Sequence, residues 1–233
     1  MSAEKTPGSR LLSAIPYIQK GAIVADIGTD HAYLPIELVR REIAKRAVAC
    51  DVNRGPIERA AEHIAEAGLS DWIDTVQTDG LLGVDAYTPD HILIFGMGGE
   101  LIARILSEAD WIRHESITLV LQPMTRAEAL RRWLLSSGFT IIEEAVSFED
   151  QYYQTICARF GEENENYTDG ELLIGKKYKR EMIPHLIGMI GRRIEILTTV
   201  VEGKKKGNQD TSAEETLIGE LSGYLCRLKE EKS

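Results

Sequence analysis

The chain has 233 residues, 43% apolar and 27% charged, and a formal net charge of −10. That composition is globular, no apolar run approaches the roughly 20 residues of a membrane span, and the acidic balance argues against unselective nucleic-acid binding. Cys50, Cys157 and Cys226 are far apart and odd in number, which suggests neither a disulfide framework nor a zinc cluster.

The first residues, Met1-Ser2-Ala3-Glu4-Lys5, lack the basic-then-apolar layout of a signal peptide. The expectation is a cytoplasmic protein without a metal, a monomer or weak homodimer. Residues 9 to 20 read as a short amphipathic lead-in helix broken near Pro16. A strand from Ala22 to Asp26 runs into a turn at Gly28, and Leu34 to Ala44 is helical, with Leu34, Leu38, Val39 and Ile43 on one face. Ala47 to Asp51 is a buried second strand, again closed by an acid. Pro56 suits a first helical turn, and that helix continues from Ile57 to Ala67, where Gly68 stops it. Ile73 to Asp79 forms a third strand.

His91 to Phe95 is the fourth strand, followed by Gly96-Met97-Gly98-Gly99 and a helix from Glu100 to about Ala109. Ile117 to Leu121 is the fifth, ending in Gln122-Pro123, and Arg126 to Leu135 is the next helix. Phe139 to Val146 and Tyr152 to Phe160 then read as a hairpin. Strand and helix alternate five times before that hairpin closes the sheet. The predicted fold is α/β: a Rossmann-like, doubly wound, mostly parallel sheet with an antiparallel last strand at its edge.

Composition changes after Phe160. Gly161-Glu162-Glu163-Asn164-Glu165-Asn166 reads as a polar linker. Beyond it Ile183, Ile187, Ile190, Ile194, Leu197 and Val201 form a heptad seam, and Leu217, Leu221, Tyr224 and Leu228 form another. Ser212 and Glu215 have capping-box spacing. Two such helices joined by the polar loop Gly203 to Thr211 predict a coiled-coil hairpin. Gly188, Gly191 and Gly219 weaken the helices, so tertiary support is expected. The domain division is therefore 1–161 and 162–233. Nine basic residues against three acids give the window from Lys176 to Lys206 a balance of +6. That window is either a solvated face or a phosphate-binding surface.

A dinucleotide site requires G-x-G-x-x-G after the first strand, so that bare amides face the pyrophosphate. Here only Gly28 of that pattern is present, and Asp30 places a carboxylate where phosphate would be repelled. S-adenosylmethionine is cationic and carries no phosphate, so an acidic loop suits it. Asp26 and Gly28 would line its methionine end, Asp51 would accept the ribose hydroxyls, and Asp79 with Gly80 would meet the adenine. Each acid alone is weak evidence, because strand-end acids often only cap helices; three at successive strand ends point together.

These stretches carry a resemblance. The run from Asp26 to Pro35, Ala49-Cys50-Asp51-Val52-Asn53, Thr78-Asp79-Gly80-Leu81, Phe95-Gly96-Met97-Gly98-Gly99-Glu100-Leu101-Ile102 and Leu121-Gln122-Pro123-Met124 resemble the bacterial tRNA (adenine-22-N1)-methyltransferases. The resemblance covers essentially the whole chain, including the C-terminal hairpin. It implies methyl transfer from S-adenosylmethionine to N1 of an adenosine in the tRNA D-arm.

Enzymes that methylate adenine N6 carry an Asn/Asp-Pro-Pro-aromatic run after the fourth strand, whereas this chain has Gly96-Met97-Gly98-Gly99 there. Methylation at N1 leaves a cation, and a carboxylate near N1 and N6 stabilises it. Asp30 is the leading catalytic candidate and His31 the second, the alternative for His31 being a satisfied loop histidine. Tyr33 either stacks on an extruded base or packs its own helix. Val52 and Gly96 are assigned to the cofactor, Met97 and Gln122 to the substrate pocket. Lys176, Lys177, Lys179, Arg180, Arg192 and Arg193 are assigned to tRNA phosphates, with Arg126, Arg131 and Arg132 as further candidates. A small-molecule or protein methyltransferase with a dimerising coiled coil, and a non-catalytic adaptor on the same fold, stay open on the residues alone.

Overall fold

The computed structural model describes residues 8–161 and 165–232, so Met1 to Lys5 and residues 162–164 of the expected linker lie outside it. The lead-in is a one-turn helix α1 (Ser9–Leu12) and a separate 3-10 turn at Ile15–Tyr17, divided before Pro16. The repeats follow as β1 (Ala22–Ile27), α2 (Tyr33–Arg40), β2 (Ala44–Asp51), α3 (Arg54–Glu66), β3 (Ile73–Gln77), β4 (His91–Gly98), α4 (Gly99–Ser107), β5 (Thr118–Thr125) and α5 (Ala127–Ser136). The hairpin is β6 (Phe139–Phe148) and β7 (Tyr152–Phe160). Helix α2 stops short of the expected Ala44, which begins β2, and β3 ends at Gln77, leaving Thr78 and Asp79 in the following turn.

One seven-stranded sheet has the order β3-β2-β1-β4-β5-β7-β6. The first five strands pair in parallel, and β7 is antiparallel to both β5 and β6. The last strand is thus antiparallel as expected, but it is inserted inside the sheet, and β6 forms the edge. Side-chain alternation divides the core by face. Ile92, Ile94, Leu119 and Leu121 pack with Ile102 and Leu106 of α4 and Leu130 and Leu134 of α5. Leu93, Phe95 and Val120 point the other way, toward Leu34 and Leu38 of α2 and Ala60 and Ile64 of α3. Helices therefore cover both faces, and the carboxyl ends of β1 to β5 share one edge.

After the linker come α6 (Asp169–Ile174), α7 (Ile183–Lys206) and α8 (Ser212–Lys232). Helix α6 escapes the heptad pattern because it is too short for periodicity. Its start carries a true capping box: Thr168 Oγ1 accepts from the Glu171 amide at 3.1 Å, and Glu171 accepts from the Thr168 amide at 3.0 Å. The capping box expected at Ser212 and Glu215 does not form. The Ser212 amide and hydroxyl both donate to Asp210, at 3.0 and 2.8 Å.

The hairpin shares a core with the sheet: Val146 and Tyr152 join Leu173, Ile174, Leu186, Met189, Ile190 and Leu221 in one cluster. Ile183, Ile190 and Val201 of the heptad seam are buried, while Leu186 and Met189 bury a second stripe of α7. Gly188 is needed where α7 crosses Tyr152, since a Cβ there would lie 2.0 Å from the phenolic oxygen. Gly191 and Gly219 have no such neighbour. No helix among the described residues is long and apolar enough to cross a membrane.

Candidate active site at the carboxyl ends of the strands

The turn after β1 is bound back onto β2: the amides of Gly28 and Thr29 donate to the Cys50 carbonyl at 2.8 and 2.9 Å. Gly28 has φ +82°, and a Cβ there would sit 2.2 Å from Met97 Cε. Two motifs about 70 residues apart along the chain, where an extended segment would span on the order of 200 Å, are thus packed against each other. Asp26 is buried beside Thr29. Burial pushes its carboxyl up to about 6, and the hydrogen bond with Thr29 acts against that rise.

At the ends of the next two strands, Asp51 Oδ1 accepts from the Asn53 amide at 2.7 Å, and Asp79 is exposed beside Gly80, which packs on Ile105. Val52 is 54% exposed and Leu82 78% exposed. These ends therefore offer carboxylates for hydroxyl or amino groups and apolar side chains for a ring face. Among the described residues no three His, Cys, Asp or Glu side chains cluster as metal ligands.

The loop residues Asp30, His31 and Tyr33 are brought together, with two partners from α3 that sequence reasoning missed. Arg59 Nη2 donates to Asp30 Oδ1 at 2.5 Å, and His31 Nε2 lies 3.2 Å from Asp30 Oδ2. The His31 ring stacks on Tyr33 at 5.0 Å and on His63 at 5.1 Å, and Tyr33 and His63 stack at 5.5 Å. His63 Nδ1 lies 3.2 Å from the His31 carbonyl oxygen. The available signal was the four-residue spacing of Arg59 and His63, which puts both on one face of α3. The Arg59 hydrogen bond, aided by the charges of His31 and Arg59, holds the Asp30 carboxyl below the usual carboxylate range.

Gly96 is exposed and Met97 half-buried where the β4–β5 register becomes irregular. Gln122 lines neither of the two clefts described below. It is fully buried, and its Nε2 donates to the Arg10 carbonyl at 3.0 Å, Thr155 Oγ1 at 3.0 Å and Ser13 Oγ at 3.3 Å. A polar side chain at a strand end looked like a site residue; its place in the sheet makes it the clamp for the lead-in segment. Arg10 thereby lies across the strand ends, its guanidinium 5.3 Å from the Tyr153 ring centroid and Nη1 3.5 Å from Met124 Sδ.

The basic run is largely neutralised by acids outside its window. Lys176 and Lys177 pair with Glu165, and Lys176 also with Glu171 at 3.6 Å. Lys179 pairs with Glu143 at 2.7 Å, Lys204 with Glu214 at 2.6 Å and Lys205 with Glu215 at 2.7 Å. Arg180 lines a cleft of about 540 Å³ with Tyr178, Tyr224 and Arg227. Arg192 is paired with Glu195 at 3.0 Å, and both Arg192 and Arg193 line a larger cleft beside β5. Of the further candidates, Arg131 is fully buried and cannot reach RNA, Arg132 pairs with Asp169 at 3.0 Å, and Arg126 pairs with Glu100 at 3.1 Å.

A sheet in this order, with carboxylates rather than a glycine-rich phosphate turn at its strand ends, defines the methyltransferase class. The family model described as a methyltransferase domain matches residues 8–156. The chain belongs to the tRNA (adenine(22)-N(1))-methyltransferase family. The Bacillus subtilis protein of that name is 36% identical over 167 residues, covering 71% of this chain and 70% of its own. Among similar solved structures, M. capricolum TrmK, in complex with the cofactor product S-adenosylhomocysteine, has a TM-score of 0.80 at 28% identity, over 95% of this chain and 98% of that one. A Streptococcus pneumoniae candidate tRNA (m1A22) methyltransferase, in complex with S-adenosyl-L-methionine, also has a TM-score of 0.80, at 30% identity over 92% of this chain and 98% of that one.

Proposed function

We propose that this protein transfers a methyl group from S-adenosylmethionine to N1 of adenosine 22 in the D-arm of tRNA, in the cytoplasm, as a monomer or weak homodimer. The observation that carries the reading is the single sheet edge on which Asp26, Asp51 and Asp79 stand at or just beyond the carboxyl ends of three neighbouring strands. The Gly-Met-Gly-Gly run at the β4–α4 junction stands beside them where N6 enzymes need a different motif.

The residues present fit that cofactor. Asp26 and Gly28 receive the methionine end, with the buried carboxylate meeting the ammonium directly or through water. Asp51 takes the ribose hydroxyls, Val52 covers a face of the adenine, and Asp79 with Gly80 borders its amino group. Gly96 and Met97 lie toward the reacting centre. When bound, S-adenosylmethionine supplies a methyl group on a sulfonium, ready for transfer to a lone pair. The chain's own task is to hold the adenine with N1 in line and to stabilise the cation that results. Asp30 is exposed and ionised at neutral pH, so it supplies that negative charge; His31 and Tyr33 border the base. Residues 1–161 carry the cofactor, and 162–233 contribute to gripping tRNA.

The deciding experiment is methylation of an unmodified tRNA transcript, followed by nuclease digestion and mass spectrometry. The expected product is 1-methyladenosine at position 22; an N6-methyl product, or none, would overturn the reading. Asp51→Ala is expected to weaken S-adenosylhomocysteine binding by tenfold or more, the range of about 1.5–3 kcal/mol for hydrogen bonds to a charged group. Unchanged affinity in calorimetry would place the ribose elsewhere.

Asp26 makes cofactor affinity depend on pH. Its folded pKa of about 6 lies above the ordinary carboxylate value, so its contribution to stability is greatest at low pH and is lost as pH rises through about 6. A bound ammonium favours the ionised form, so binding below about pH 6 must expel a proton. Affinity for S-adenosylhomocysteine is expected to fall about tenfold per pH unit below that point and to flatten above it. Calorimetry between about pH 5 and about pH 8 checks this, and an equally steep profile in Asp26→Asn would assign it to another group.

A further inference from the structure

Beside the site lies a cleft of about 690 Å³ between the carboxyl end of β5, the β6–β7 turn and α7. That volume falls in the roughly 300–1,000 Å³ range of ligand pockets, and none of the residues assigned to the cofactor lines it. Met124, Phe148 and Ile196 on its walls are 37%, 50% and 43% exposed. Tyr152 lies tilted against Phe148 with centroids 4.8 Å apart. Arg192 and Arg193 come from α7, and Arg193 makes no ion pair among the described residues.

An aromatic and thioether wall beside a guanidinium suits a nucleotide: the base presents a flat face to stack, and the phosphate meets the arginine. Position narrows the choice of nucleotide. The β4–β5 register sets Met97 beside Pro123 and Gly98 beside Thr125, so the cleft opens directly alongside the Gly-Met-Gly end of β4. A target adenine in a stem must leave its stack to be methylated, and its neighbours lose a stacking partner when it does. We propose that this cleft seats an unstacked nucleotide flanking the target adenosine, its base against Phe148 and Met124 and its phosphate at Arg193. This rests on the tRNA-methyltransferase reading and assigns to that reading a second base-binding subsite.

Base–aromatic stacking is worth about 1–3 kcal/mol by alanine substitution, roughly 5- to 150-fold in affinity. Phe148→Ala and Arg193→Ala are each expected to raise the KM for tRNA by about tenfold, with kcat at saturating tRNA and S-adenosylhomocysteine affinity within about twofold of wild type. Phe148→Tyr is expected to retain the wild-type KM. In a D-arm RNA carrying 2-aminopurine beside the target, fluorescence should stay quenched on binding wild-type protein, where Phe148 replaces the lost stacking partner, and rise on binding Phe148→Ala. An unchanged tRNA KM in Phe148→Ala overturns the subsite, whatever Arg193→Ala does. So does a wild-type dimer that becomes monomeric in Phe148→Ala by sedimentation equilibrium, because the cleft would then be a subunit face. Wild-type protein that binds S-adenosylhomocysteine but methylates no tRNA overturns both this proposal and the function it rests on.

Discussion

Replacing Glu144 with alanine is expected to destabilise the protein by about 3–5 kcal/mol, because it leaves Arg131 charged and unpaired in the interior. Both side chains are fully buried and meet at 2.7 Å. Arg131 also donates to the Leu172 carbonyl at 2.7 Å and to Gln154 Oε1 at 2.6 Å. The second Glu144 oxygen accepts from the amides of Lys176 and Lys177 at 2.8 and 3.2 Å. One ion pair therefore ties α5 and β6 to the backbone on both sides of Gly175. Urea denaturation measures the loss, and a cost below about 1 kcal/mol would show that water or another partner replaces the carboxylate. Joint replacement, Arg131→Met with Glu144→Leu, is expected to recover most of it, since the desolvation cost of both charges then disappears. The same network makes removal of residues 162–233 an unclean test of tRNA gripping: the cut would strip the partners of Arg131 and uncover Val146 and Tyr152.

Asp30→Ala is expected to lower kcat for tRNA methylation by about 10²–10³-fold, the usual cost of removing one preorganised electrostatic group. S-adenosylhomocysteine affinity should stay within several-fold, because Asp30 is exposed and paired with Arg59 whereas the cofactor carboxylate Asp26 is buried. Single-turnover kinetics with saturating tRNA separates the two effects, and wild-type turnover would remove Asp30 from the mechanism. The lowered Asp30 pKa means its ion pair with Arg59 persists at neutral pH and is lost only as pH falls through the depressed value. Activity should therefore owe no inflection near neutrality to Asp30.

The strand-end acids were legible because they follow short apolar runs, and in a parallel sheet every such run ends on the same edge. Arg59 and His63 were not legible as site residues: their place depends on how α3 is rotated against the β1 turn. Gln122 and Arg131 were misread for one reason. Both are polar residues beside loops or on an amphipathic helix, where exposure is the usual outcome, and only the fold supplies their buried partners. The pairing of the basic window was not legible, since charge was counted along the chain while Glu143, Glu165, Glu171, Glu214 and Glu215 approach from outside it.

By itself the sequence determined the alternation of strands and helices, the hairpin seam, the preference for a cationic cofactor over a pyrophosphate, and the family. These follow from local periodicity and from residue types at element ends, which need no knowledge of distant contacts. Only the tertiary structure decided that β7 enters the sheet ahead of β6, that the hairpin shares the sheet's core, which arginines face solvent, and that a second cleft opens beside the reacting edge. Each depends on pairing between segments far apart in the chain, where burial and charge neutralisation are settled by neighbours in space.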